Sequence, residues 1–111
     1  MITYTHQEAF SIIWEHAKKG VKSMDERSCM YRGPHMAKCF VGALIPDERY
    51  DEDMDRKRCL ADEVFRMAEV RVATEIQNII ELQKIHDRHE PEEWTAHLVI
   101  YASDYGLTVP A

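Results

Sequence analysis

No apolar run in this chain approaches the roughly 20 residues that a helix needs to cross a bilayer, so no membrane-spanning helix and no membrane partner are expected. Cysteine is scarce and odd in number, at Cys29, Cys39 and Cys59. The N-terminus has no charged region followed by an apolar stretch. Together these point to reduced thiols and a cytoplasmic location. Glycine is also scarce, with four residues, which leaves no Gly-rich loop to cradle a phosphate. Basic residues are the minority, 14 against 20 acidic ones, for a formal net charge of −6. A direct nucleic-acid binder needs Lys and Arg to displace counterions from phosphates. Direct nucleic-acid binding is therefore not expected, whereas attraction to a basic protein surface is.

What remains is globular. Of the 111 residues, 45 % are hydrophobic and 31 % charged, which is the balance of a folded domain rather than a disordered chain. A chain of this length buries roughly two-thirds of its unfolded surface, enough for one core but not two. The expected fold class is mainly α, a compact single domain over residues 1–111 with four to five helices. A small β-hairpin near residues 29–41 is the one β feature the pattern accommodates.

The first helix is marked by the capping box Thr5-His6-Gln7-Glu8. Ala9, Phe10, Ile13, Trp14 and Ala17 then share one face, and Gly20 suits the left-handed closing position. These signals predict a helix over 6–19. Residues 21–28 read as loop, and the run from Cys29 to Arg32 suits a strand ended by Gly33-Pro34. Residues 36–45 fit either a return strand or a short helix, with Phe40, Leu44 and the Ala37–Val41 pair favouring the helix. The stretch 46–55 is crowded with like charge and reads as a loop. A helix over about 56–67 follows, with Leu60, Val64 and Met67 or Ala68 inward. Alternation at Val70, Val72 and Ala73 breaks it near 69–73, and Thr74-Glu75-Ile76-Gln77 offers a second capping box. One continuous helix over 56–88 is the alternative. Pro91 with Glu92 and Glu93 opens a last helix, whose stripe is Trp94, Leu98, Tyr101, Ala102 and Tyr105 and whose stop is Gly106.

Candidate chemistry is thin. Cys29, His35 and Cys39, with Cys59 or a distant His, have the donors for tetrahedral zinc but not the usual knuckle spacing, so the cysteines read as core and no metal is expected. Asp51, Asp53 and Asp55 begin like a calcium loop, but Arg56 stands where that loop needs Gly. His86, His89 and His97 lack a His-Glu-x-x-His frame, and Ser11, Ser28 and Ser103 lack a nucleophile elbow. Cys39 beside Lys38 is the best candidate nucleophile and lacks a positioned base. The chain is accordingly expected to be no enzyme and to need no cofactor.

The segment Cys29-Met30-Tyr31-Arg32-Gly33, then Lys38-Cys39-Phe40-Val41-Gly42-Ala43-Leu44-Ile45-Pro46-Asp47 and Tyr50, carries the pattern C-x-Y-R-G…K-C-x-V-G-x-L-I-x-D-x-x-Y. It resembles a motif of small uncharacterised proteins of phages and prophages. The run Leu82-Gln83-Lys84-Ile85-His86-Asp87 followed by Trp94 is similar to the second half of that family, so the resemblance spans Cys29 to Leu107. It implies a protein that works by binding inside a bacterial host, for example by blocking a host enzyme or a defence complex such as a CRISPR effector. The expected contact residues are Asp47, Glu48, Asp51, Glu52, Asp53 and Asp55, meeting a basic host surface that normally holds nucleic acid. Two other readings stand beside it. Tyr31, Arg32 and Lys38 suit a nucleotide-binding module, with Gly33 allowing close backbone approach. Cys29, Cys39 and a histidine suit a metal- or cysteine-dependent enzyme.

Overall fold

Thr5 sits at the junction of two elements, and the chain folds outward from it. In the computed structural model, which describes residues 1–24, 30–34 and 37–111, strand β1 (Ile2–Thr5) runs directly into helix α1 (His6–Ala17). The capping box is complete: the Glu8 amide donates to Thr5 Oγ1 at 3.0 Å, and the Thr5 amide donates to Glu8 Oε1 at 2.8 Å. Ala9, Phe10, Ile13 and Ala17 are buried, Trp14 is half-buried, and Gly20 adopts the left-handed φ of +67° that ends this part of the chain.

Helix α2 (Phe40–Ala43) is one turn long, with Phe40, Val41 and Leu44 fully buried. The helical alternative therefore holds at 40–43. Cys29, His35 and Met36 lie outside the described residues, and so does the start of the expected strand. No hairpin forms over 30–34 and 37–41 among the described residues; the strand pairing there is elsewhere. Its two strands are β1 and β2 (Val70–Ala73), parallel and in register from Ile2 opposite Val70 to Thr5 opposite Ala73. Periodicity shows strands but not partners, and these two are joined by a crossover that takes in every element between them.

The stretch expected as loop is partly helical. A 3-10 turn covers Asp47–Arg49, and α3 covers Asp53–Arg56. The helix expected over 56–67 starts later, as α4 (Ala61–Ala68). Arg58 at φ +51° ends α3 and turns the chain between the two helices. Leu60, expected inward, is the residue before α4 and is 68 % exposed; Met67 is also exposed, while Val64 and Ala68 are buried. The break near 69–73 is real. Glu69 takes a left-handed φ of +55°, β2 follows, and α5 (Ile76–Arg88) restarts the helix, which removes the continuous alternative. Thr74 does not cap α5, whose N-cap is Glu75; the Thr74 hydroxyl instead accepts from Asn78 Nδ2 at 2.8 Å. A 3-10 turn over Pro91–Glu93 leads into α6 (Trp94–Tyr105), closed by Gly106 at φ +67°.

The described residues thus form six α-helices and one parallel strand pair around a single core. Helix α1 packs on the sheet, α2 and α6, while α5 packs on α2, α4 and α6. The Cα radius of gyration is 12.9 Å, that of one ordinary domain of this length, about 13 Å. Tyr101 ties three helices: it stacks on Phe10 at 6.0 Å, donates to the Asn78 carbonyl at 2.9 Å, and bonds to His6 Nε2 at 2.7 Å. Gln7 pins the tail through both its side-chain amide groups, bonded to the Thr108 carbonyl and amide at 2.8 and 2.7 Å. Leu107 and Val109 pack against the core there.

Helix α2 lies so close to the preceding segment that only glycine fits at 42. A Cβ there would sit 2.5 Å from the Tyr31 carbonyl oxygen and 3.1 Å from its carbonyl carbon, both rigid backbone. Gly42→Ala is expected to cost about 2 kcal/mol in urea denaturation, the range of overpacked cores; an unchanged midpoint would mean that α2 and Tyr31 part freely.

Candidate partner-binding site

The acidic segment begins where α2 ends, and a cation holds that junction. A helix leaves its last carbonyls without donors. Arg32 adds donors from outside: Nη1 donates to the Gly42 carbonyl within α2 and to the Tyr31 carbonyl, both at 2.9 Å, and Nη2 to the Ile45 carbonyl just past the helix at 2.6 Å. The same Nη2 reaches Asp47 Oδ1 at 3.0 Å, and Lys38 Nζ reaches that oxygen at 3.2 Å. These two cations hold the Asp47 carboxyl below its usual range, Lys38 more than Arg32, although Asp47 is well exposed. The guanidinium also lies 5.0 Å from the centre of the Tyr50 ring.

Asp55 fastens the other end. Its Oδ1 accepts from the Tyr31 amide at 2.7 Å, and its Oδ2 accepts from the Arg32 amide at 3.0 Å and the Tyr50 hydroxyl at 2.6 Å. Burial, then the bond to this carboxylate, pushes the Tyr50 phenol well above its ordinary value. Between these anchors Arg49 turns back to the end of α4, donating to the Ala68 and Glu69 carbonyls at 3.0 and 3.1 Å. Two arginines thus each close one helix C-terminus, where positive charge is favoured by the helix dipole.

The six predicted acidic contact residues separate on this frame. Asp47, Glu48, Asp51 and Glu52 are exposed. Asp53 is half-buried and pairs with Arg56 and, at 3.5 Å, with Lys57. Asp55 faces inward as the hub just described. Asp51 also works locally, its Oδ1 accepting from the Asp53 amide at 2.8 Å at the start of α3.

The residues of the nucleotide reading are engaged within the chain. Tyr31 is buried and donates its hydroxyl to the Cys59 carbonyl at 2.7 Å. Arg32 is occupied by carbonyls and Asp47, and Lys38 by Asp47. Of the metal and cysteine candidates, Cys29, His35 and Ser28 lie outside the described residues. Cys39 is fully buried at the N-cap of α2, where its sulfur accepts from the Gly42 amide at 3.4 Å. No group of three metal-ligating side chains converges among the described residues. His86 is fully buried between Trp94, stacked at 5.1 Å, and Phe40, edge-on at 5.3 Å. Its Nε2 accepts from the Ser23 amide at 3.1 Å, which leaves the proton on Nδ1, donated to Asp87 at 2.8 Å. His89 and His97 stack on each other at 3.6 Å.

Sequence reasoning missed Arg49, Tyr50 and His16 as parts of this frame. The first two stand inside the acidic run as its only non-acidic members between Asp47 and Asp53, which was the available signal. His16 gave none: its Nε2 donates to the Lys38 carbonyl at 2.7 Å, a contact across 22 positions. No family model matches the chain, and no curated protein or solved structure matches it either.

Two predictions follow from the frame itself. Asp55→Ala removes the acceptor of two backbone amides and the Tyr50 hydroxyl and is expected to cost about 3 kcal/mol. Asp51→Asn with Glu52→Gln is expected to stay within about 0.5 kcal/mol of the parent. Equal losses in urea denaturation would contradict this division. Burial lowers the imidazole pKa of both His16 and His6 from the ordinary 6.5. The folded state therefore holds fewer protons than the unfolded one below that value. Their contribution to stability is complete above pH 6.5 and is lost as pH falls through the folded values. The melting temperature should fall between pH 7.5 and 5.5, and fall less in His16→Gln; a flat profile would count against both assignments.

Proposed function

We propose that this chain is a non-enzymatic binding protein that sets its acidic segment against a basic surface of a host protein. The setting is the one that its motif implies, a phage-derived inhibitor acting in the bacterial cytoplasm. The target class is a host complex that handles nucleic acid, a CRISPR effector being one such complex. One observation carries the reading: Asp47, Glu48, Asp51 and Glu52 are exposed on a backbone held from inside by Arg32, Asp55 and Arg49. An anionic surface that is already ordered loses little entropy on docking, so more of its Coulomb attraction appears as affinity. Carboxylates carried on such a backbone compete with phosphates for Arg and Lys.

The test combines salt with charge removal. Tagged chain is incubated with bacterial host lysate at low and high salt, and retained proteins are identified by mass spectrometry. A stoichiometric host protein is expected at low salt, weakened at least tenfold as ionic strength rises to about 0.5 M. The triple variant Glu48→Gln, Asp51→Asn, Glu52→Gln should lose that protein while keeping the parent's melting temperature. Retention by the triple variant, or indifference to salt, would contradict the reading.

A further inference from the structure

Strand β2 pairs with β1 on one side and has a second, outer edge. In a parallel pair, successive residues turn their backbone polar groups to alternate sides. The Ile2 amide donates to the Glu69 carbonyl at 3.0 Å, and Ile2 stands opposite Val70. That phase turns the polar groups of Glu69, Arg71 and Ala73 toward β1 and those of Val70 and Val72 away from it. The Val72 carbonyl accepts from the Thr74 amide at 2.8 Å. The Val70 amide and carbonyl and the Val72 amide face outward along an edge that has no third strand among the described residues.

Beside this edge lies a cleft of about 420 Å3 between α4 and the start of α5, walled by Phe65, Val70, Val72, Ile76 and Ile79. Its charged lining residues are Asp62, Arg66, Glu69 and Arg71. Arg66 pairs with Asp62 at 3.8 Å. Arg71 is exposed and makes no ion pair among the described residues. Val70 and Val72 turn their buried side chains toward the core side, where the cleft opens, and exposed Arg71 points to the opposite face.

We infer that this edge takes an extended segment of a partner protein as a third strand. An acidic residue of the segment faces Arg71, and the apolar residues on either side of it enter the cleft. Each feature has a reason. Outward amides and a carbonyl recognise extended backbone. Cross-strand neighbours favour opposite charge. The alternation of a strand places the flanking residues on the face where the cleft opens. A second copy of this chain is the poorer occupant: pairing two β2 edges with Val70 opposite Val72 about a two-fold axis sets Arg71 against its own mate, like-charged residues with Cβ atoms about 5 Å apart. The inference is independent of the acidic segment and stands or falls without it.

The experiment pans a displayed library of random heptapeptides against the full chain, then follows amide hydrogen exchange by NMR with the enriched peptide at saturation. The expected consensus is apolar–acidic–apolar, with exchange at the Val70 and Val72 amides slowed at least tenfold. Arg71→Glu, an exposed position checked for folding by circular dichroism, should weaken that peptide more than tenfold. Panning against Arg71→Glu should select Lys or Arg in place of the acid. No enrichment, peptides that leave those two amides unprotected, or unchanged affinity in Arg71→Glu would overturn the proposal. So would a dimer of the free chain in sedimentation that protects the same amides, which would give the edge to a second copy.

Discussion

The Arg32 guanidinium meets the end of the single turn of α2 and adds charged donors to the carbonyls gathered there. It binds the carbonyls of Tyr31, Gly42 and Ile45 and, at its rim, Asp47. Hydrogen bonds from a charged donor are worth about twice neutral ones, and Arg presents several in a rigid plane that a Lys cannot match. Its own backbone amide is held by Asp55, which also takes the Tyr31 amide and the Tyr50 hydroxyl. Arg32 through its guanidinium and Asp55 through its carboxylate therefore connect the segment before α2, the end of α2, and both ends of the acidic stretch. If the two were removed, Asp47, Glu48, Asp51 and Glu52 would sit on loose chain.

A second polar cluster does similar work deeper in the core. Gln83 accepts from the Val41 amide at 2.8 Å, which satisfies a first-turn donor of α2 from the middle of α5. It also donates to Asp87 at 2.9 Å, the carboxylate that accepts a hydrogen bond from His86 Nδ1. His86 in turn accepts from the Ser23 amide and stacks on Trp94. Buried polar groups are costly unless satisfied, and each of these is. Between them, Arg32 and Gln83 fix α2 at both ends, so its single turn needs little helix propensity of its own.

Local signals in the sequence located much of the fold. The Thr5–Glu8 capping box, Gly20, Gly106 and Pro91 stand at helix ends because each satisfies or ends a helix by its own chemistry. The break at 69–73 was legible because Val70 and Val72 alternate with exposed residues. What was not legible depended on distant partners. The strand pair joins residues 2–5 to 70–73, which no short window shows. Leu60 looks like an inward helical residue, but the turn at Arg58 resets the phase and leaves it outside. The acidic run reads as repelling charge, yet Arg32 and Lys38 pair with Asp47 and Arg56 and Lys57 with Asp53, and a 3-10 turn and α3 form within it. The six acids look alike in the sequence; only contacts from Tyr31, Arg32 and Tyr50 distinguish inward Asp55 from outward Asp51 and Glu52.

A stretch held by Arg32, Asp55 and Arg49 is ordered before any partner arrives. Backbone 15N relaxation of the free chain measures this directly. Order parameters near 0.85 across residues 47–55, equal to those of α5, are expected. Values below about 0.6 at Glu48, Asp51 and Glu52 would show a mobile loop and contradict it.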